Sequence, residues 1–406
     1  MQGTEIIERA ERLARHSDST AHYTRTFLTP AHRAAAAELA EWMAAAGMTV
    51  RTDAIGNVIG RYEAGDGNAK TLLMGSHFDS VRNGGKFDGV LGILVPVACI
   101  AQLNARGERL RVALEVAAFS DEEGARFQTG FLSSRALIGR FDPDVLERRD
   151  ADGVTLAQAM RDAGLDPAAA SSAAIDPSRL AAYVEVHIEQ GPVLLRSGAP
   201  TGVVTTIAAG TRHAFHVTGE AGHAGTVPMP MRHDALAAAA EMVLAIEKRC
   251  GAGGSLVGTV GTLRVKEGSA NVIPGDVEFT ADIRSTDDAA VGSAVADVFA
   301  ACEAIAKRRG VRLEHSKTHA VQAVPCAASL QDRLAASIER CVRGGKAPRL
   351  HSGAGHDAMM LAEVTEVGML FVRCGAGGVS HNPAETVTPE DAGLAADVLL
   401  DFLRNF

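Results

Sequence analysis

The 406-residue sequence predicts an α/β protein whose sheet domain is interrupted by a small inserted α+β domain of ferredoxin-like order. Three observations predict it. Apolar, strand-like runs alternate with segments of helical periodicity along the N-terminal half, the pattern of a largely buried sheet. Three of those runs end on polar stretches, and it is at strand ends that open α/β sheets gather their function. From about Gly210 the order becomes strand, helix, two strands, helix, strand, a complete split-βαβ unit, after which the α/β texture resumes. The expected division is therefore 1–209 and 322–406 as two parts of one domain, with 210–321 inserted between them.

The elements follow in order. The N-terminal stretch MQGTEIIERAERLARHSDS spaces its apolar residues as a helix does, and AHRAAAAELAEWMAAAG (31–47) is an amphipathic helix stopped by Gly47. Two short strands flank Gly56-Asn57, a hairpin signal. A buried strand at Thr71–Met74 leads into GSHFDS, and a long apolar helix starts at Gly89. The strand Arg111–Phe119 ends at SDEEG, and the strand Ala182–His187 ends at HIEQG. The inserted domain reads as strand His213–Thr218, helix Asp234–Lys248, strands Gly258–Val265 and Val277–Ile283, helix Ala289–Arg309 and strand Val311–His315. A helix at Leu330–Val342, a strand at Val367–Arg373 and a helix at Pro389–Phe406 close the chain.

Composition narrows the function. A chain that is 47% hydrophobic and 22% charged is globular, and a net charge of −9 with 4% aromatic residues fits neither a phosphate-tracking surface nor a base-stacking platform, so no nucleic acid partner is expected. Six cysteines without CxxC spacing point away from a disulfide framework and towards a reducing, cytoplasmic setting. The N-terminus lacks a basic segment followed by an apolar one. The longest apolar run, Gly89 to Leu103, contains Pro96 and is shorter than a bilayer span, so no membrane association is expected.

The chemistry-bearing residues cluster at the strand ends. In GSHFDSVRNGGKFDG, His77 and the carboxylates Asp79 and Asp88 are suitable ligands for Zn, Mn, Co or Ni, with Asp79 placed to orient the His77 ring; the bland alternative is a polar loop in which Asp88 caps the next helix. Glu122 and Glu123 in SDEEG cannot both point one way, so one suits a metal and the other a water, unless the pair is a solvated helix start. His187 in EVHIEQG shares a strand face with Glu185 and Glu189, and Gln190 follows. His381 precedes the Asn382-Pro383 turn in GVSHNPAE. In HSGAGHDAMM, Gly353, Ala354 and Gly355 permit close backbone approach ahead of His356 and Asp357. In the inserted domain stand His223 in GHAGTVPM, Asn271 in ANVIPG and Arg284 in DIR, whose guanidinium suits a carboxylate. Each is an ordinary loop alone. Together, so many His- and carboxylate-bearing strand ends suggest a dinuclear metal site.

In order along nearly the whole chain, GSHFDSV with GGKFDG, SDEEGARF, HIEQGPVL, HAGTVPM, NVIPG, SGAGHDAM and SHNPAE resemble the M20 metallopeptidase-type amidohydrolases. More narrowly they resemble the hydantoinase/carbamoylase branch of N-carbamoyl-L-amino acid hydrolases and allantoate amidohydrolases. HIEQG and SGAGHDA are the segments that separate this branch from M20 peptidases, which usually carry Asp or Glu where His187 stands. The resemblance implies two divalent ions per subunit bridged by Asp88, with His77 and His187 completing one site and Glu123 and His381 the other. It implies Glu122 as general base, Asp79 orienting His77, and His223 with Asn271 stabilising the oxyanion. It further implies Gln190 and the loop Gly353–His356 against the substrate, Arg284 on the substrate carboxylate, and a homodimer made by the inserted domain. The implied reaction is hydrolysis of a ureido C–N bond in a small carboxylate-bearing substrate: an N-carbamoyl-L-amino acid, allantoate or 3-ureidopropionate. An M20-type dipeptidase or aminoacylase is the alternative. A nitrilase-type carbamoylase has Cys374 as its one cysteine near a motif, and a dehydrogenase is unsupported because Gly375-Ala376-Gly377-Gly378 comes too late and lacks the spacing.

Overall fold

The structure is a computed structural model that describes residues 3–67, 69–342 and 346–406. Met1 and Gln2 of the predicted N-terminal helix lie outside the described residues. The chain divides into two compact units, 1–205 with 326–406, and 206–325.

The larger unit is built on a mixed sheet of strands β1 (Thr49–Thr52), β2 (Val58–Tyr62), β3 (Thr71–His77), β4 (Ala113–Phe119), β5 (Leu180–Ile188), β6 (Thr201–Ile207), β7 (Arg349–Ser352) and β8 (Val367–Val372). Their order is β1-β2-β4-β3-β5-β8-β6, with β7 also pairing to β6. The centre, β4-β3-β5-β8, is parallel, and the flanks are antiparallel. Every residue of β3 is buried, which explains its uninterrupted apolar run: a central parallel strand is covered on both faces. The helix Leu91–Ala105 connects β3 to β4, and eleven of its fifteen residues are buried, so it carries no polar stripe. It packs in one core with Ile6, Leu13, Leu39, Leu334, Leu399 and Phe402 from neighbouring helices. Full burial of each such side chain contributes roughly 1.5–3 kcal/mol.

Several expectations change in detail. The β1–β2 hairpin turns through residues 53–57 rather than through a Gly-Asn pair alone: Asp53 accepts hydrogen bonds from the Ile55 and Asn57 amides at 3.0 and 2.9 Å and from the Asn57 side chain at 2.8 Å. Asp88 does not cap the following helix, whose N-terminus at Val90 has no side-chain cap. Glu122 and Glu123 lie in a turn, not in the first turn of a helix. Strands β6 and β7 were not expected. Only Ala208 separates β6 from the next strand, Ala209–Thr218, so no glycine or proline marks the break.

The smaller unit lays down its five-stranded sheet in the order strand, helix, three strands, helix, strand. Its antiparallel sheet runs Leu263–Val265, Asp276–Ser285, Ala209–Thr218, Arg312–Val321, and Val257–Thr259 also pairs with Asp276–Ser285. The expected strand Gly258–Val265 is thus two strands, because the residues between Thr259 and Leu263 leave the ladder. The final strand reaches Val321 instead of His315, past an irregularity between Lys317 and His319. The helices Ala235–Cys250 and Asp288–Arg309 bury Met242, Ile246, Val298 and Cys302 against Phe215, Phe279 and Ile283. Asp288–Arg309 is long and apolar enough to cross a membrane by length and composition, and its stripe Ala294, Val298, Cys302, Ile305 packs into this core. A ribbon of Gly222–His223 with Val272–Ile273 is too short to leave a periodic signal.

Candidate metal centre

The three central strands β4, β3 and β5 run parallel, so their C-terminal ends lie along one sheet edge. His77 is the last residue of β3 and stands in register with Phe119, the last of β4, so the turn carrying Glu122 and Glu123 begins beside it. His187 stands one residue before the end of β5, in register with Phe371 of β8, and the loop after β8 carries His381.

Asp88 is the hub. Its Oδ1 lies 3.4 Å from His187 Nε2 and 3.7 Å from His77 Nε2, and its Oδ2 lies 3.1 Å from His381 Nε2. His381 Nε2 is also 3.4 Å from Glu123 Oε1. Ligand atoms of His77, Asp88 and His187, and of Asp88, Glu123 and His381, gather within 4.8 Å in each group, and Asp88 belongs to both. His77 with Glu122 and Glu123 forms a further such group.

The chemistry of these donors fits a cation. The Nδ1 of His187 is 2.9 Å from the Ile188 carbonyl, and the Nδ1 of His77 is 3.2 Å from the Asp79 carbonyl and 3.4 Å from its carboxylate. A ring that donates from Nδ1 presents a bare lone pair at Nε2, the arrangement typical of a metal-binding histidine. The Nε2 of His187 faces Asp88 Oδ1, another acceptor. Among the described residues, His187 Nε2 and Asp88 Oδ1 are buried without a hydrogen-bond partner. Facing lone pairs in a buried site are unfavourable, and a divalent ion satisfies them.

The local field is uneven. Burial opposes the charged form of His77, yet Asp79, Glu122 and Asp88 outweigh it and hold this imidazole well above its usual range. Burial dominates at His187 and lowers it to about 4. Burial, with Glu123 and Asp357 nearby, pushes Glu122 well above the ordinary carboxyl range, while His77 pulls the other way. A carboxyl poised high in this manner suits proton transfer.

Supporting residues hold the centre together, and several were not singled out from sequence. Asp79 is 1% exposed, and its Oδ1 and Oδ2 accept the Glu122 and Glu123 amides at 3.0 and 3.1 Å. Glu185 accepts from the Ser76 hydroxyl at 2.7 Å, the Ala358 amide at 3.0 Å and the Tyr183 hydroxyl at 3.2 Å, and burial lifts it to about 7. Arg25 is fully buried with no ion-pair partner among the described residues. Its Nε donates to the Phe78 carbonyl at 2.6 Å and its NH1 to the Leu13 carbonyl at 2.9 Å, while its backbone exchanges hydrogen bonds with Ser80. His32 stacks on Phe78 at 4.3 Å and donates to the Ser120 carbonyl at 2.7 Å. The face shared by Glu185 and His187 was a usable signal; Arg25 and His32 carry none, because their partners are distant in sequence.

The remaining predicted residues fall into place individually. β5 ends at Ile188, so Glu189 leaves the expected face and accepts the Val193 and Leu194 amides at the start of the next helix. Gln190, at φ +57°, donates to Asp88 Oδ2 at 3.1 Å and Ser380 at 3.2 Å. His356 packs edge-on against the His187 ring at 4.4 Å, with its Nε2 2.7 Å from the Ser352 hydroxyl, and burial holds it well below its usual range. In the same loop the Ala354 amide donates to Ser352, and a Cβ at Gly355 would stand 2.8 Å from Phe131, whereas Gly353 has open space at that position. Burial raises Cys374 to about 12, and its sulfur accepts from the Gln190 amide, so it is not an activated thiol.

His223, Asn271 and Arg284 belong to the smaller unit. His223 pairs with Val272 on the short ribbon, beside Asn271, and both are exposed. Arg284 makes a two-pronged bond to Asp282, Nε to Oδ1 at 2.8 Å and NH2 to Oδ2 at 2.9 Å, and Arg212 donates to the same carboxylate at 2.9 Å.

A mixed sheet with histidines and carboxylates converging on one aspartate at the ends of parallel strands defines a metallohydrolase. The chain belongs to the peptidase family M20/M25/M40, whose model matches residues 72–405. It is 44% identical to an N-carbamoyl-L-amino acid amidohydrolase of Geobacillus stearothermophilus, over 93% of this chain and 91% of that one. It is 39% identical to an allantoate deiminase of Arabidopsis thaliana, over 99% and 82%. Among solved structures it is similar to an amidase of the hydantoinase/carbamoylase family from Burkholderia multivorans, with a TM-score of 0.90 and 32% identity over 99% of this chain and 97% of that one.

Proposed function

We propose that this protein is a metal-dependent amidohydrolase that cleaves the ureido C–N bond of an N-carbamoyl-L-amino acid, or of a close relative such as allantoate or 3-ureidopropionate. The observation that carries the reading is the pair of acceptor atoms, His187 Nε2 and Asp88 Oδ1, buried face to face at 3.4 Å. The relatives named above supply the substrate class. They do not favour the dipeptidase or aminoacylase reading.

His77, His187 and Asp88 would hold one divalent ion, and Glu123, His381 and Asp88 a second, with Zn, Mn, Co or Ni all suited to such ligands. When bound, such ions polarise the scissile carbonyl and make water acidic near neutral pH. Glu122 takes the proton of the attacking water and delivers it to the leaving nitrogen. Asp79 fixes His77 and, through their amides, Glu122 and Glu123. His223 and Asn271 stabilise the negative charge that develops on the substrate oxygen, and Arg284 binds the substrate carboxylate. Gln190 and the Gly353–His356 loop line the substrate. The inserted domain forms a homodimer, a reading supported by exposed Met229, Met231, Leu244 and Val257 on the smaller unit. We place the protein in the cytoplasm without a membrane or nucleic acid partner, a setting suited to its six free thiols.

The test is a substrate panel read by ammonia release after chelation and reconstitution with Mn. Turnover of N-carbamoyl-L-amino acids or allantoate that is lost with EDTA and returns with metal supports the reading. Turnover of N-acetyl substrates alone, or activity indifferent to chelator, rejects it.

A further inference from the structure

We propose that Glu385 is a positioning residue that decides whether the half of the centre formed by Asp88, Glu123 and His381 holds its ion. The inference rests on the two-ion reading above and concerns a residue with no role in it.

Glu385 is 1% exposed, and both of its carboxylate oxygens are engaged. Its Oε1 accepts the Phe87 amide at 2.9 Å and the Asp88 amide at 3.1 Å; its Oε2 accepts the Ser380 hydroxyl at 2.7 Å. One side chain thus joins the backbone of the bridging aspartate to the residue immediately before His381, two segments far apart in the chain. A Cβ at Gly85 would collide with this carboxyl, so glycine at that position is what admits it. Ser380 is in turn held by Gln190, whose amide group also reaches Asp88 Oδ2.

The need for such a clip is visible in the backbone. His381 has φ +52°, a left-handed conformation that non-glycine residues adopt only at a cost of about 1–3 kcal/mol, and its side chain is 50% exposed. The ligands on the other half are better anchored. His77 and His187 lie on central strands, and their side chains are 4% and 2% exposed. His381 is therefore the ligand whose position depends most on its loop, and Glu385 ties that loop to Asp88. Three hydrogen bonds, at about 0.5–1.5 kcal/mol each, are of a size to offset the backbone cost.

The experiment uses the full chain, stripped with chelator and titrated with Mn by calorimetry, with bound metal counted by elemental analysis and the metal pair followed by electron paramagnetic resonance. Wild type is expected to take two ions and show a spin-coupled pair. Glu385→Ala is expected to weaken the second ion 10–100-fold, the usual effect of removing a partner behind a ligand, and to give an uncoupled Mn signal, with a smaller loss at the first ion because Asp88 serves both. Glu385→Gln keeps an oxygen for the amides and is expected to fall between the two. Should Glu385→Ala fail to fold, Glu385→Gln and Ser380→Ala carry the test, each weakening the second ion more than the first. Two ions bound by every variant with wild-type affinity overturn the proposal. A wild type that takes one ion or none overturns the two-ion reading instead.

Discussion

Asp79→Asn is the sharpest test of how the centre is held. Asp79 is buried and makes two hydrogen bonds to backbone amides, one on each oxygen, at 3.0 and 3.1 Å, with the His77 ring 3.4 Å from Oδ1. Bonds to a charged acceptor contribute about 1.5–3 kcal/mol each, and asparagine keeps one acceptor while turning an NH2 group towards the other amide. Removing a charge also relieves repulsion with Asp121 and Glu122, both of which feel Asp79, so the net loss is smaller than the bonds alone suggest. The expected cost is about 2–3 kcal/mol for Asp79→Asn, and more for Asp79→Ala, which leaves both amides unpaired. At roughly 1.7 °C per kcal/mol for a unit spanning 1–205 and 326–406, calorimetry in chelator should show Tm lower by about 3–5 °C. The same variant should bind Mn 10–100-fold more weakly, because His77 loses its orienting partner. If chelated Asp79→Asn melts with wild type, the amide bonds carry no net energy and the reasoning fails, whatever happens to metal affinity.

Other expectations follow from the same geometry. Glu122→Gln should retain its metal by elemental analysis yet lose about 10²–10⁴ in kcat; full activity would exclude it as the proton carrier. Arg284→Gln should raise KM steeply for carboxylate-bearing substrates and leave a carboxylate-free ureido compound unaffected, with Tm recorded because Asp282 keeps Arg212 but loses its two-pronged partner. Burial lowers His32 to about 4 from 6.5, so the unfolded chain takes up a proton there that the folded protein refuses. The stability due to neutral His32 is whole above pH 6.5 and drains away as pH falls towards 4, by about 3 kcal/mol in all. Urea melts of chelated His32→Gln should lack that part of the acid slope; identical slopes in variant and wild type would show that His32 is not held neutral.

Sequence made the first ring of the centre legible for a physical reason. β3 is a central parallel strand, so its apolar run is unbroken and its end at His77 is marked by an abrupt change to polar residues. The ends of β4 and β5 are marked in the same way, and local spacing put Asp79 next to His77. What spacing cannot show is a bond between distant segments. Asp79 reaches amides 43 and 44 residues away, and Glu385 reaches amides 298 and 297 residues away. Nor could alternation locate the end of β5 to one residue, and that single residue sent Glu189 to a helix start instead of the site. The junction at Ala208 was invisible because two strands of different sheets meet there without a turn residue.

The buried Arg25 has a consequence for how far the chain can be trimmed. The family match begins at residue 72, yet Arg25 and His32 lie well upstream of it. Arg25 takes the Phe78 carbonyl and exchanges bonds with Ser80, the Gly84 amide donates to the Tyr23 carbonyl, and His32 takes the Ser120 carbonyl. A polypeptide cut back to the matched segment would keep every proposed metal ligand and lose the strap beneath two of the loops that carry them. Recombinant versions with altered N-termini should therefore keep the first helix as well, since Arg25 also donates to the Leu13 carbonyl and Ile6 and Leu13 pack in the core, and a shorter one that expresses well but binds metal poorly would have lost its support rather than its chemistry.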